Sequence, residues 1–284
     1  MTIKRVGVVG SGTMGLGIAE VAASSGCEVV VRSRSTATAE GLVALLEKSL
    51  ARQVEKEKRT PQDAAEILAR VTPTGELEDL AECDLVIESI VEDLGVKKQL
   101  FMELDRLTRR DAILATNTST LPVVELAMET SRPELVCGVH FFNPAPVMRL
   151  VEVVVPITAC VETIAVVHDF IAACGKEAVE VQDRAGFVVN ALLFPYLNNA
   201  MRLLEAQVAT MEGIDAAMTG GCGFPMGPFA LLDLVGLDTS LAILEALHQE
   251  GGDASSLPAP MLRRLVAAGR LGRKSGHGFY DYRR

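Results

Sequence analysis

The sequence lacks the features that mark membrane-spanning, secreted and metal-binding chains. No stretch of its 284 residues approaches the roughly 18 uninterrupted apolar residues of a membrane span. The first apolar run, of about five positions behind two basic residues, is too short for the core of a signal peptide. The six cysteines are scattered without a C-x-x-C pair or metal-ligand spacing, so we predict small core residues and no metal site. These absences predict a soluble, cytoplasmic protein.

The sequence also lacks an excess of positive charge. It has 27 basic and 37 acidic residues, for a net charge of −10. This balance argues against nucleic acid as a main partner, and an anionic substrate would need a local basic patch. Hydrophobic residues make up 49% of the chain, enough to fill one large domain or two ordinary ones.

Up to residue 181, short β-branched runs alternate with amphipathic stretches, which predicts an α/β fold with a Rossmann-type, doubly wound, mostly parallel sheet. The runs are apolar nearly throughout, as expected of strands buried on both faces. The predicted strands are Val6–Val9, Glu28–Val31, Leu85–Glu88, Ile113–Ala115, Val136–Val139, Val151–Val155 and Ala178–Val181. The helices predicted between them are Thr13–Ser25, Val96–Leu107, Val123–Met128 and Val161–Ala173.

A connection of about forty residues after the second strand predicts a helical-hairpin insertion. It contains two helix patterns, from Ala39 to about Lys56 and from Pro61 to Ala69, and Thr60 followed by Pro61 is a helix-start signal. The hairpin carries five basic residues within twelve positions: Lys48, Arg52, Lys56, Lys58 and Arg59. These residues are consistent with a solvated charged face or with the local patch that an anionic substrate needs.

The last hundred residues predict a second, all-α domain. Strand patterns end at Gly186, and the predicted helices are Phe187–Gln207, Met211–Met218, Phe229–His248 and Pro260–Ala268. We therefore predict a dinucleotide-binding domain at 1–185 and a helical domain at 186–284. Apolar residues occupy nearly every face of VVNALLFPYL and FALLDLVGL, more than a four-helix unit can bury, which predicts a homodimer interface.

A glycine motif lies between the first strand and the first helix. Gly10, Gly12 and Gly15 form G-x-G-x-x-G, whose glycines allow a tight turn, close approach to a pyrophosphate and close packing of helix on strand. The helix start then offers free N–H groups and a positive dipole end to phosphate. We expect the three glycines, with Thr13 and Met14, to bind a dinucleotide.

The end of the second strand bears on which dinucleotide is bound. NAD enzymes carry an acidic residue there to bond the ribose 2′-hydroxyl, whereas this strand ends in Arg32, Ser33 and Arg34. A small hydroxyl between two guanidinium groups suits a 2′-phosphate, which favours NADP(H). The alternative is that the arginines face solvent and NAD(H) is bound through other contacts.

Several longer motifs carry a resemblance to a known family. They are NTST at 117–120, GVHFFNPAPVMRLVEVV at 138–154, VIESIVED at 86–93, GFVVN at 186–190, FPMGPF at 224–229, VGLDT at 235–239 and LGRKSGHGFYDY at 271–282. In this order and spacing, the chain resembles the 3-hydroxyacyl-CoA dehydrogenase family, of the 3-hydroxybutyryl-CoA dehydrogenase type, almost end to end.

The resemblance implies an oxidoreductase that interconverts short-chain (S)-3-hydroxyacyl-CoA and 3-oxoacyl-CoA by hydride transfer with a nicotinamide cofactor. His140 would be the general base, a role that suits histidine because its unperturbed pKa of about 6.5 is close to neutral pH. Glu152 would orient the imidazole and stabilise its positive charge. Ser119 and Asn190 would bond the substrate, which implies a site in the cleft between the two domains.

The same resemblance assigns the remaining candidate site residues. Positions beside the cofactor are matched by Glu92, Lys97, Asn117, Ser119, Asn143 and Lys274. Ser49 and Lys56 match acyl-CoA contacts, so the basic hairpin is expected to hold the adenosine-phosphate end of CoA. By pattern alone, Glu92 and Lys97 would be ordinary surface charges at a helix start.

Four positions depart from the family pattern. Ser33 replaces the carboxylate, Thr120 makes the usual NTSS into NTST, and Ala185 and Ala191 replace a proline and an arginine around GFVVN. These departures leave open an alternative substrate, the same acyl group on a carrier protein, as in extender-unit synthesis. A regulatory protein that only senses a dinucleotide would have no use for the four catalytic-type residues together.

Overall fold

The computed structural model describes residues 2–283, which divide into two compact units after Asp183, two residues before the predicted boundary. The first unit contains all the strands of the sheet, and the second is helical. None of the described helices is long and apolar enough to cross a membrane.

The first unit is built on one eight-stranded sheet in the order β3-β2-β1-β4-β5-β6-β7-β8. All neighbouring strands are parallel except β6 and β7, which are antiparallel. The strands are β1 (Arg5–Val9), β2 (Glu28–Arg32), β3 (Val71–Thr74), β4 (Leu85–Glu88), β5 (Ile113–Thr116), β6 (Val136–Phe141), β7 (Leu150–Val155) and β8 (Glu177–Gln182). The predicted Rossmann-type, mostly parallel α/β fold is confirmed.

Helices cover the sheet and make its central strands fully buried. The helices of this unit are α1 (Thr13–Ser24), α2 (Thr36–Glu55), α3 (Pro61–Ala69), α4 (Leu94–Leu107), α5 (Val123–Ala127) and α6 (Val161–Ala173). Every residue of β4, β5 and β6 is buried, which explains why these segments are apolar nearly throughout. The polar side chains of such strands are therefore concentrated at their carboxyl ends.

The helical hairpin is formed by α2 and α3, as predicted. The Ser35 side chain caps the start of α2, and Thr60 and Asp63 form a reciprocal capping box at the start of α3. Leu42, Leu46 and Leu50 recur at intervals of four and belong to the core of the first unit. The hairpin is thus an amphipathic insertion with one buried stripe.

The second unit consists of α7 (Val189–Glu205), α8 (Met211–Cys222), α9 (Pro228–Val235), α10 (Leu237–Gly251) and α11 (Pro260–Ala267). Its own core includes Phe194, Leu197, Phe229 and Leu232, all at most 2% exposed. The buried carboxylate of Asp233 accepts hydrogen bonds from the N–H groups of Phe279 and Tyr280, which fastens the carboxyl-terminal segment to α9.

Two sequence-based expectations about these elements are wrong. The single helix predicted at Phe229–His248 is two helices, because Gly236 adopts φ 105° and ψ 130°, values outside the helical range. Strand β3 was missed: it is a four-residue edge strand that pairs only with β2 and contains Pro73, a residue that demotes a segment as a strand candidate.

Candidate active site

The glycine loop joins β1 to α1 and is shaped by close backbone contacts. Gly10 has φ +127°, and a Cβ there would lie 2.2 Å from the carbonyl oxygen of Ser89. A Cβ at Gly15 would lie 2.0 Å from the carbonyl oxygen of Gly10. Helix α1 begins after Gly12, and its first turn, residues 13–16, has neither a side-chain cap nor an acidic side chain. Its N–H groups and positive dipole end are therefore suited to an anion.

A cavity of about 720 Å³ opens beside this loop. Its lining comes from four places: Val9, Gly10, Ser11 and Gly12 of β1 and the loop, Arg32, Ser33 and Arg34 at the end of β2, Ser89, Ile90 and Val91 after β4, and Val96, Gln99, Leu100 and Glu103 of α4. The glycine loop, the uncapped helix start and the apolar side chains of Ile90, Val91, Val96 and Leu100 together fit the pyrophosphate and adenosine of a dinucleotide.

The Arg-Ser-Arg segment at the end of β2 is only partly exposed. Ser33 is 5% exposed, and its Oγ lies 2.8 Å from the Oγ of Ser11. Arg32 is half-buried and donates from Nε to the carbonyl oxygen of Gly75, whereas Arg34 is exposed. A phosphate at this end of the cavity would therefore meet a small hydroxyl and one exposed guanidinium group.

His140 and Glu152 are brought together by the antiparallel pairing of β6 with β7. They are direct register partners, a relation that places two side chains on the same face of a sheet. Nδ1 of His140 lies 2.7 Å from Oε2 of Glu152, and the side chains are 7% and 1% exposed. The Phe142 ring packs 4.6 Å from the imidazole, centroid to centroid. The buried carboxylate is positioned to orient the imidazole and to stabilise it when it gains a proton.

Lys97 is not a surface charge but one of the most buried side chains of the chain, at 1% exposure. Its Nζ lies 2.6 Å from Oε1 of Glu88 and 3.2 Å from Oε2 of Glu92. Glu88 ends β4 and is fully buried, and it was not among the predicted site residues. The three residues form a charged cluster at the carboxyl edge of the sheet, which we call the Glu88–Lys97–Glu92 cluster.

Glu92 connects this cluster to Ser119. Its Oε1 accepts hydrogen bonds from the Thr118 hydroxyl (2.6 Å), the Ser119 N–H (2.9 Å) and the Ser119 hydroxyl (3.3 Å). Burial would raise the pKa of Glu92, but the charge of Lys97 and the hydrogen bonds from Thr118 and Ser119 outweigh burial and hold the pKa below its ordinary value. Glu92 therefore contacts Ser119 directly and holds its loop.

The two asparagines predicted beside the cofactor have different environments. Asn117 follows β5, and its Oδ1 accepts from the N–H of Phe141, the residue after His140. It thus ties the NTST loop to the strand of His140. Asn143 is exposed and precedes Pro144 in a cis peptide bond, in the loop that connects β6 to β7.

The two residues predicted to contact CoA also differ. Lys56 lies just after α2 and is exposed. The hydroxyl of Ser49 instead donates to Oε2 of Glu20, a buried residue of α1, at 3.1 Å. Gln53 donates to the other oxygen of Glu20 at 2.7 Å. Ser49 therefore helps to fix α2 on α1, whatever its part in CoA binding.

Asn190 and Lys274 belong to the second unit. Asn190 lies in the first turn of α7 and is 8% exposed. Lys274 follows α11 and is half-exposed, with Nζ 2.6 Å from Oδ1 of Asp238 at the start of α10. A Cβ on Gly236 would lie 3.2 Å from the Lys274 ammonium, so a side chain at this position would crowd the lysine.

Sequence reasoning missed Glu88, Ser11 and Thr118 as members of the site. A signal existed for Glu88, because a carboxylate that closes the buried strand LVIE at its carboxyl end lies where open α/β sheets bind their ligands. Ser11 and Thr118 act through hydrogen bonds to residues distant in sequence, which no local pattern indicates.

Comparisons with known proteins agree with this geometry. The 3-hydroxyacyl-CoA dehydrogenase NAD binding domain matches residues 5–184, and the C-terminal domain of the same family matches residues 186–282. A probable 3-hydroxybutyryl-CoA dehydrogenase of Bacillus subtilis is 45% identical over 282 residues, which cover 99% of this chain and 98% of the relative.

Two crystal structures are similar over the whole of both chains. FadB2 of Mycobacterium tuberculosis superposes with a TM-score of 0.98 at 46% identity, and 100% of each chain is covered. The (S)-3-hydroxybutyryl-CoA dehydrogenase PaaH1 of Ralstonia eutropha superposes with a TM-score of 0.96 at 41% identity, also with 100% of each chain covered. With both domain models matched in order and full-length relatives above 40% identity, this chain belongs to the 3-hydroxyacyl-CoA dehydrogenase family.

Proposed function

We propose that this chain interconverts short-chain (S)-3-hydroxyacyl-CoA and 3-oxoacyl-CoA with a nicotinamide cofactor. The observation that carries the proposal is the buried pair of His140 and Glu152, 2.7 Å apart, in the same unit as a glycine-loop cavity of dinucleotide type. The full-length relatives named 3-hydroxybutyryl-CoA dehydrogenase support the substrate class.

The proposed chemistry needs a base, a polar contact to the substrate oxygen and a hydride acceptor. A nicotinamide cofactor held in the glycine-loop cavity would supply the hydride acceptor for C3 in oxidation and the hydride donor in reduction. His140 takes the hydroxyl proton as the hydride leaves, and Glu152 stabilises the imidazolium that forms. Ser119 holds the same oxygen, while Glu92 holds the Ser119 loop through the N–H and the hydroxyl. Asn190 is assigned a contact to the substrate as a family match.

We propose NADP(H) as the preferred cofactor. Ser33 stands where an acidic residue would accept from the ribose hydroxyls, and the exposed guanidinium of Arg34 at the cavity can pair with a 2′-phosphate. Glu103 of α4 also lines the cavity, and its negative charge opposes this preference. NADH remains usable because the glycine loop serves both cofactors.

Free CoA is the proposed carrier of the acyl group, and Lys56 the proposed contact to its phosphate end. The carrier-protein alternative is not favoured, because the similar relatives are named for CoA substrates. The homodimer and the cytoplasmic location stay predictions of the sequence, and size-exclusion chromatography with light scattering tests the first.

The direct test is reduction of acetoacetyl-CoA with NADH and NADPH measured side by side. We expect turnover with both and a higher kcat/KM with NADPH. A folded protein that reduces acetoacetyl-CoA with neither NADH nor NADPH would contradict the proposed function. Turnover of an acetoacetyl carrier protein, with none of acetoacetyl-CoA, would favour the alternative substrate.

A further inference from the structure

The Glu88–Lys97–Glu92 cluster holds two carboxylates and one ammonium group, so its charges do not cancel. The side chains of Glu88 and Lys97 are at most 1% exposed, and that of Glu92 is 37% exposed. Among the described residues, Lys97 is the only cation in an ion pair with either carboxylate. Whether the cluster is anionic depends on whether both carboxyl groups are ionised.

The hydrogen bonds around Glu88 match those of an ionised carboxylate. Oε1 receives the Lys97 ammonium and the N–H of Ile90, both at 2.6 Å, and Oε2 receives the Thr116 hydroxyl at 2.7 Å. Amide and ammonium groups only donate, and an ionised carboxylate only accepts. A proton on Oε2 would reverse its hydrogen bond with Thr116, whose hydroxyl already accepts from the N–H of Thr118 at 3.2 Å.

The same argument applies to Glu92, because its partners are an ammonium group, a backbone N–H and two hydroxyl groups. Its lowered pKa agrees with this arrangement. With both carboxylates ionised and Lys97 protonated, the cluster carries one negative charge at the carboxyl edge of the sheet. This charge is in direct contact with Ser119.

The charge matters because a nicotinamide ring is positive when oxidised and neutral when reduced. If Ser119 and His140 hold the oxygen on C3, the ring must face that same carbon to exchange the hydride. We propose that the Glu88–Lys97–Glu92 cluster makes the site bind the oxidised cofactor more tightly, relative to the reduced one, than an uncharged site would. This inference rests on the proposed function and adds a selectivity for redox state.

The proposed selectivity affects the direction of the reaction on the enzyme. In reduction, the hydride moves from the reduced cofactor to C3, and His140 gives its proton to the oxygen. The products are the 3-hydroxyacyl thioester and the oxidised cofactor. An anionic cluster that stabilises the bound oxidised cofactor therefore shifts the equilibrium between bound reactants towards the 3-hydroxyacyl side.

The test measures dissociation constants for NAD⁺, NADH, NADP⁺ and NADPH. The ratio of interest is the affinity for the oxidised form divided by the affinity for the reduced form. At an effective dielectric of about 20, a unit charge some 10 Å away changes the binding of a cation by on the order of tenfold. We therefore expect Glu92→Gln to weaken the oxidised forms about tenfold more than the reduced forms. Glu88→Gln should shift the ratio in the same direction.

Two control variants separate charge from hydrogen bonding and from general surface effects. Thr118→Val removes a hydroxyl that donates to the same Glu92 oxygen and accepts from the N–H groups of Thr120 and Leu121. It changes hydrogen bonding in the Ser119 loop without changing charge, so the ratio should stay within about threefold of wild type. Lys98→Met removes the neighbouring lysine, which pairs with Glu125 and Glu129 at the surface, and should leave the ratio unchanged.

The possible outcomes separate a failure of the redox-state selectivity from a failure of the proposed function. A fall in the ratio for Glu92→Gln but not for Thr118→Val supports the inference. Equal weakening of the oxidised and reduced forms in Glu92→Gln overturns it and leaves the cluster a purely structural role. If the wild type binds none of the four cofactors, the proposed function itself fails. Should Glu88→Gln not fold, the comparison of Glu92→Gln with Thr118→Val still decides.

Discussion

Replacing Glu152 with glutamine tests the central pair of the site with little change of shape. Opposite charges about 4 Å apart attract by about 4 kcal/mol at an effective dielectric of about 20. The glutamine oxygen can still accept from the imidazole, and such a neutral hydrogen bond retains about 1 kcal/mol. The transition state, in which His140 gains charge, would thus lose about 3 kcal/mol. This corresponds to a fall in kcat of roughly 10²-fold.

The assay is the steady-state reduction of acetoacetyl-CoA, followed by the loss of reduced-cofactor absorbance, with a separate measurement of cofactor binding. Because Glu152 is 1% exposed, thermal unfolding should be recorded to show that the variant is folded. Glu180→Gln is a matched control, since Glu180 lies 3.0 Å from Nε2 of His168 in a more exposed His–Glu pair. We expect kcat of the control to stay within about twofold of wild type.

A folded Glu152→Gln variant with a kcat within threefold of wild type would refute this reasoning. The carboxylate would then be a buried structural partner of β6 rather than a charge that assists proton transfer. A large loss of kcat with unchanged cofactor binding would support a role for Glu152 in stabilising the protonated His140.

Four other predictions concern the base, the two binding ends and the glycine loop. His140→Gln should abolish turnover but leave cofactor binding nearly intact, because the base is needed only as the proton moves; loss of binding with kcat preserved would contradict this. Lys56→Ala should raise KM for acetoacetyl-CoA much more than KM for a truncated pantetheine thioester, and equal losses would place Lys56 outside the CoA site. Ser33→Asp should shift the preference between the cofactors, measured as kcat/KM with NADH against kcat/KM with NADPH, towards NADH by about 1–3 kcal/mol. The proposed NADP(H) preference is wrong if the wild type already favours NADH tenfold. Gly15→Ala should weaken binding of both cofactors, because its Cβ would lie 2.0 Å from a backbone oxygen of the loop, and normal cofactor titrations would show that the loop can adapt.

The sheet was largely predictable because buried parallel strands are apolar along their whole length. All seven predicted strands form within two residues of their predicted bounds. The eighth, β3, pairs on only one side, so its residues need not be apolar, and its sequence VTPT resembles a loop. Helix patterns were equally visible, but the break at Gly236 depends on a backbone conformation that spacing alone does not indicate.

The site was predictable where chemistry lies in one motif and unpredictable where contacts bridge motifs. Family resemblance selected His140 and Glu152, and the antiparallel register of their strands supplies the physical reason for the pair. Resemblance also selected Lys97, but as a residue beside the cofactor. Its burial against Glu88 depends on the packing of α4 against the end of β4, which no sequence window contains.

Helix α1 has a mechanical consequence beyond the anion site proposed at its start. Its N-terminus carries the glycine loop, and Glu20, eight residues after Gly12, receives the hydrogen bonds of Ser49 and Gln53 that fix α2. At 1.5 Å per residue, the helix sets about 12 Å between these two points. It therefore fixes the distance between the glycine loop and the basic hairpin. Inserting one residue between Gly15 and Glu20 would lengthen this part of α1 by only about 1.5 Å, but it would turn the Glu20 side chain about 100° away from α2.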